Sequence, residues 1–143
     1  METVTTPDHP FALFFDGECC FCNRWGAGLM RADTLRRTRF GAKQGETFRR
    51  LAVTHPEAAN VESIVLVRRE PDGRERVLIR SRAVQEAIRG LPAYRLASLA
   101  LAATPRPLAE LGYSLVSRYR KRLFGAQDIC HLMKPADREL FLP

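Results

Sequence analysis

The chain lacks any apolar run long enough to span a membrane. Its richest stretch, residues 96–103, falls well short of the ~18 consecutive apolar residues a helical span needs, and Pro105 follows it. The first ten residues, Met1 to Pro10, carry neither the basic head nor the apolar core of a secretory leader, so a reducing cytoplasm is the expected compartment. Cysteine is scarce: 4 in 143 residues. Three of the four crowd into positions 19–22, where they cannot all form structural bridges, which excludes a disulfide-stabilised scaffold and points to reactivity. Acidic residues are outnumbered, 16 Asp and Glu against 23 Lys and Arg, for a net charge of +7. The excess is scattered in pairs such as Arg36-Arg37, Arg49-Arg50 and Arg68-Arg69, and only residues 118–122 form a local cluster. Without stacking aromatics between the basic residues or a nucleic-acid motif, nucleic acid is not an expected partner. Internal repeats and low-complexity segments are absent, and one domain over residues 1–143 is the expectation.

The stretch that organises the rest is Phe11-Ala12-Leu13-Phe14-Phe15-Asp16-Gly17-Glu18-Cys19-Cys20-Phe21-Cys22-Asn23. Residues 11–15 are short, continuously apolar and aromatic, which predicts a strand buried on both faces. Asp16-Gly17 breaks it, and the spacing of Cys19 and Cys22 puts two sulfurs on the first turn of a following helix. Unpaired amides and the positive end of the helix dipole stabilise an anion there. Cys19 is therefore the candidate nucleophile with a lowered pKa, and Cys22, one turn inside, the candidate resolving thiol. Arg24 adds positive field, and Asp16 is a candidate proton acceptor for Cys22. The competing reading of Asp16 is an acid that closes a strand-to-loop turn. Cys20 points elsewhere and reads as a small packed residue or a third oxidisable thiol.

Other uses of such cysteines fit less well. Cys19 and Cys22 supply half a tetrahedral zinc site, and Cys130 with His131 could supply the other half from far downstream. A c-type haem needs His where Asn23 stands, and a phosphatase loop needs Arg where Trp25 and Gly26 stand. The second aspartate of a phosphotransferase loop is replaced by Glu18.

Further along, residues 24–35 predict a helix with Trp25, Leu29, Ala32 and Leu35 on one side and Gly26 and Gly28 close to the sheet. Residues 38–42 predict a second, parallel strand, and residues 47–53 a brief helix closed by Thr54-His55-Pro56. His55 is read as a loop residue without a catalytic partner. Residues 63–68 and 75–80 predict a hairpin about Pro71-Asp72-Gly73, and Ser81 is the expected cap of a helix over 82–91. This β-α-β-α-β-β-α order is that of an α/β, thioredoxin-like mixed sheet, with a core over about residues 10–92. Helices over 94–103 and 108–124, separated by Pro105 and Pro107, form a C-terminal extension over about 94–124. Gly125 is an expected C-cap, and the tail, 125–143, reads as irregular, with Ile129, Cys130, Leu132 and Phe141 as packing contacts.

With motif and element order together, the sequence resembles the DCC family of thiol-disulfide oxidoreductases, named for an Asp-Cys-Cys signature. Asp16-Gly17-x-Cys19-x-x-Cys22-Asn23 matches it, followed by Ser63-Ile64-Val65-Leu66, Arg80-Ser81-x-Ala83, Pro105-Arg106-Pro107, Tyr113, Arg118-Tyr119-Arg120, Phe124-Gly125 and Cys130. The resemblance covers about residues 11–141. It implies a thioredoxin-like fold and dithiol chemistry. The expected enzyme needs no bound cofactor, acts on a disulfide-containing protein or small thiol, and is recharged by a cellular reductant. Thioredoxins proper place a cis-proline before the first hairpin strand, whereas Val61-Glu62-Ser63 stands here, so Ser63 is the residue expected to face the cysteines. Cys130 matches a family cysteine and is a candidate third thiol. The alternative is a metal-binding or redox-sensing interaction domain that uses Cys19, Cys22, Cys130 and His131.

Overall fold

The computed structural model describes residues 3–17, 20–61, 63–124 and 139–143. The first strand, β1 (Phe11–Phe15), leads into α1 (Cys20–Ala32) and β2 (Thr38–Ala42). Two helices follow, α2 (Glu46–Thr54) and α3 (Pro56–Ala59), then the hairpin of β3 (Val65–Arg69) and β4 (Glu75–Ile79). Next come α4 (Arg80–Ile88), a single 3-10 turn (Pro92–Tyr94), α5 (Arg95–Ala103), α6 (Arg106–Phe124) and the short β5 (Phe141–Leu142). The sheet order is β4-β3-β1-β2-β5. β1 is parallel to β2 and antiparallel to β3, with Leu13 opposite Phe40 on one side and Leu66 on the other. The architecture is the thioredoxin-like mixed α/β sheet that the element order predicts.

The pleat of β1 sends alternate residues to opposite faces, and both faces are covered. Leu13 and Phe15 pack with Leu29, Met30, Phe40, Leu66 and Ile88, while Ala12 and Phe14 pack with Phe48, Leu51, Val65 and Val67. Helices α1 and α4 thus lie on one face and α2 and α3 on the other. Leu13, Phe14 and Phe15 are all fully buried, and each such side chain contributes ~1.5–3 kcal/mol relative to exposure. Two glycines make this closeness possible. A Cβ on Gly26 of α1 would lie 2.8 Å from the Phe15 ring, and one on Gly41 of β2 would lie 2.7 Å from the Phe14 ring.

Several sequence expectations are corrected. Leu35 does not pack: α1 stops at Ala32, buried Asp33 accepts a 2.8 Å hydrogen bond from the Thr38 amide, and Leu35 is left 76% exposed. Ser81 does not cap α4. The helix starts at Arg80, two residues before the expected Arg82; the Arg80 φ of 56° turns the chain sharply out of β4, and the Ser81 hydroxyl serves another partner. His55 has a partner after all, Glu57 Oε1 at 3.2 Å from Nδ1, because Pro56 starts α3 rather than merely ending α2. Backbone and side-chain hydrogen bonds, the latter from His55, hold Glu57 below the usual glutamate value. Helix α6 begins at Arg106 with Pro107 in its first turn, where a missing amide costs nothing. The end of the tail is not irregular: β5 adds to β2 in parallel, Leu140 and Leu142 are buried, and the Pro143 carbonyl accepts from the Thr47 amide at 2.8 Å. Gly125, Ile129, Cys130, His131 and Leu132 lie outside the described residues. No helix among the described residues is long and apolar enough to cross a membrane.

Candidate active site

The break after β1 places the site. Asp16 and Gly17 leave the sheet at its central strand, and Gln44, just beyond β2, ties that turn down from both directions. Its Nε2 donates to Asp16 Oδ1 at 2.8 Å and its Oε1 accepts from the Gly17 amide at 3.1 Å. Asp16 is half-buried. Helix α1 then starts at Cys20, so Cys22 falls in its first turn, where the dipole and the unpaired amides act on a thiolate. The Cys22 side chain is buried, 2% exposed. Arg24, two residues on, is exposed on the helix surface.

Ser63 lies before β3 and is buried, its hydroxyl donating to the Ile64 carbonyl at 3.1 Å. The Ser63 and Val61 carbonyls both accept from the Lys43 ammonium, at 3.0 Å for Ser63, and this cation also sits 5.5 Å from the Phe48 ring centroid. Lys43 thus pins the loop that precedes β3. The neighbouring Ile64, rather than Ser63, reaches the same cavity as Cys22.

That cavity, of about 420 Å³, lies between α1, α4 and the C-terminal helices, with Cys22, Trp25, Ile64, Val84, Leu101 and Tyr113 among its lining side chains. Its outer wall is α6, and a compact polar cluster fastens that helix to the core. Arg80 Nε donates to Glu110 Oε2 at 2.7 Å, its terminal nitrogen donates to Ser114 Oγ at 2.5 Å, and its guanidinium lies 5.3 Å from the Tyr113 ring centroid. The Ser81 hydroxyl donates to Glu110 Oε1, and the Tyr113 hydroxyl accepts from the Ile64 amide at 3.1 Å. The Ser81 hydrogen bond, opposed by burial and helped by Arg80, holds Glu110 below its usual value of 4.5. The cluster gives each residue of Arg80-Ser81-x-Ala83 a structural task. Arg80 and Ser81 grip one carboxylate, and Ala83, fully buried, is small enough to let α4 lie on the sheet.

The structure therefore brings together Cys22, Trp25, Ile64, Ser81 and Tyr113, and sets Asp16 at the strand end that leads to them. Cys19, Cys130 and His131 lie outside the described residues. Among the described residues no group of three or more His, Cys, Asp or Glu side chains could hold a metal ion. Glu110, Gln44 and Lys43 escaped the sequence reading, although Glu110 carried a signal as the one acid in the basic segment 95–124.

The sequence profile of the DCC1-like thiol-disulfide oxidoreductase family matches residues 13–126. An uncharacterised protein of Bacillus subtilis (strain 168), YuxK, is 27% identical over 132 residues, covering 92% of this chain and 93% of its own. No solved structure matches the chain.

Proposed function

The chain belongs to the DCC1-like thiol-disulfide oxidoreductase family, and from that premise we propose that Cys19 and Cys22 form its redox couple. The Cys19 thiolate attacks one sulfur of a substrate disulfide, a Cys19–substrate disulfide forms, and the other substrate sulfur leaves as a thiolate that takes up a proton. The Cys22 thiolate then attacks the Cys19 sulfur, which releases the second substrate thiol and leaves a Cys19–Cys22 disulfide. The substrate gains two electrons and the protein loses two, and a cellular dithiol reductant returns them by the reverse exchange. Asp16 takes the Cys22 proton, and no bound cofactor is required.

The observation that supports this reading best is the position of Cys22. It is buried in the first turn of α1 at the end of the central strand, where amides and dipole favour a thiolate, and it borders a cavity large enough to admit part of a substrate. Substitution tests it. Cys19→Ser is expected to abolish disulfide exchange and Cys22→Ser to accumulate a mixed disulfide at Cys19, visible as a mass adduct that a reductant removes. Exchange at the wild-type rate in both variants would sink the reading.

A further inference from the structure

Nothing charged lines the cavity beside Cys22 among the described residues, although the chain carries 23 Lys and Arg. Its polar atoms are largely committed elsewhere. Tyr113 Oη accepts from the Ile64 amide, Ser81 Oγ donates to Glu110, and Thr104 Oγ1 donates to the Ala100 carbonyl at 2.7 Å. Burying a carboxylate or an ammonium against such a wall is costly, so a small charged disulfide such as oxidised glutathione is a poor occupant. At about 420 Å³ the space is well above the ~150 Å³ of an apolar cavity that holds one benzene ring, so it has room for more than one large apolar side chain.

The cavity also continues outward. Leu108, Gly112 and Val116 line it at successive turns of α6, and Leu108 and Val116 are themselves 57% and 50% exposed. Leu111, Leu115 and Tyr119 extend the same apolar face and are 56%, 50% and 43% exposed. From Leu108 to Tyr119 the face runs for about 16 Å, longer than a small ligand needs but suited to a peptide that presents several side chains. Arg106, Arg118 and Arg122 are exposed on the same helix, while its one acid, Glu110, is taken up by Arg80 and Ser81. A second copy of this chain would set these arginines against their own kind. A polypeptide with acidic residues beyond its apolar ones would complement them.

We propose that this cavity and the α6 face that continues it form the substrate site for polypeptides whose disulfide-bearing cysteine is flanked by large apolar side chains, with acidic residues beyond. The proposal rests on the dithiol reading and gives it a substrate class. The disulfide itself is exchanged by the steps set out above, with no further reactant.

Trp25, the single tryptophan, lines the cavity and reports occupancy without any chemistry. Two short synthetic peptides serve as probes, one with Leu and Phe beside a central serine and glutamates outside, the other with Gly and Ser beside it. The first is expected to shift Trp25 emission and bind at least ~10-fold more tightly than the second. The same pair with cysteine in place of the central serine, each in disulfide linkage, is expected to show the same order in kcat/KM, with oxidised glutathione slower than the apolar peptide. Gly112→Leu fills the cavity from a position where an added Cβ meets nothing within 4 Å, and it favours the helix, so the variant should fold and bring the two peptides to parity. Equal exchange of both peptides with no Trp25 response would overturn the proposal and leave the dithiol reading standing. A Trp25 response with no exchange of either peptide would overturn the dithiol reading, and with it the assignment of the cavity as a substrate site. A response to a naphthalene-sized apolar compound but to neither peptide would overturn the polypeptide assignment.

Discussion

Glu110 should matter more to this protein than any surface acid, because one carboxylate holds α6 against the core. Replacing it with alanine removes the acceptor of the buried Ser81 hydroxyl and the partner of Arg80. A hydrogen bond to a charged group is worth ~1.5–3 kcal/mol. The Arg80 pair is partly exposed, 38% and 30%, and after allowance for solvent screening it adds no more than ~1 kcal/mol. Arg80 also keeps its positive φ of 56° while it loses one of the three contacts that hold its side chain. Glu110→Ala is thus expected to destabilise by ~2–4 kcal/mol, which at a urea slope of ~2 kcal/mol/M lowers the unfolding midpoint by ~1–2 M. Glu110→Gln keeps an oxygen acceptor for Ser81 and loses only the charge, so it should cost less. The charge contribution depends on acidity in a definite direction. Because the folded protein holds Glu110 below 4.5, its stabilisation is fully present above that value and is lost as pH falls through the lowered folded pKa. The gap between wild type and Glu110→Gln should therefore be open at pH 7 and narrow under acid conditions. Urea titrations followed by Trp25 fluorescence measure both. A Glu110→Ala midpoint within error of wild type, or a Gln gap that widens in acid, would refute the claim that this carboxylate anchors the helix.

Tyr113→Phe leaves the buried Ile64 amide without its 3.1 Å acceptor and should cost ~1–3 kcal/mol in the same titration, with the ring packing kept. Gly26→Ala forces a methyl group to within 2.8 Å of the Phe15 ring and should destabilise by ~1–3 kcal/mol despite the better helix propensity of alanine. Leu142→Ala should cost ~2–5 kcal/mol, because Leu142 belongs to the core on the α2 side; a change under ~0.5 kcal/mol would show that β5 does not dock.

Much of the fold was legible in the sequence because the central strand announces itself. An unbroken apolar run bounded by Asp16-Gly17 can be little else, and β1 is buried on both faces as that pattern requires. The hairpin was readable for the same local reason, since Gly73 at a φ of 85° supplies the turn. What escaped was non-local. Leu142 carries no sign in its neighbours that it will pair with Gly41, some hundred positions earlier, and two strand residues are too few for a period. Ser81 shows the same limit from the other side. A serine before a helical run reads as a cap, yet a glutamate from α6 claims its hydroxyl, and Arg80 takes the helix start instead. The apolar cavity was hidden likewise, because its walls come from α1, α4, α5 and α6, and only the packing of all four shows that their apolar residues do not fill the space between them.

In the proposed mechanism Cys19 and Cys22 exchange electrons as a pair. Equilibrating the protein in a series of glutathione redox buffers, alkylating the remaining thiols and locating the protected cysteines by peptide mass spectrometry tests it most directly. A reversible Cys19–Cys22 disulfide that forms and disappears with the buffer potential is the expected result. A pair that stays reduced across the series, or is protected from alkylation only while a metal ion is bound, would contradict it.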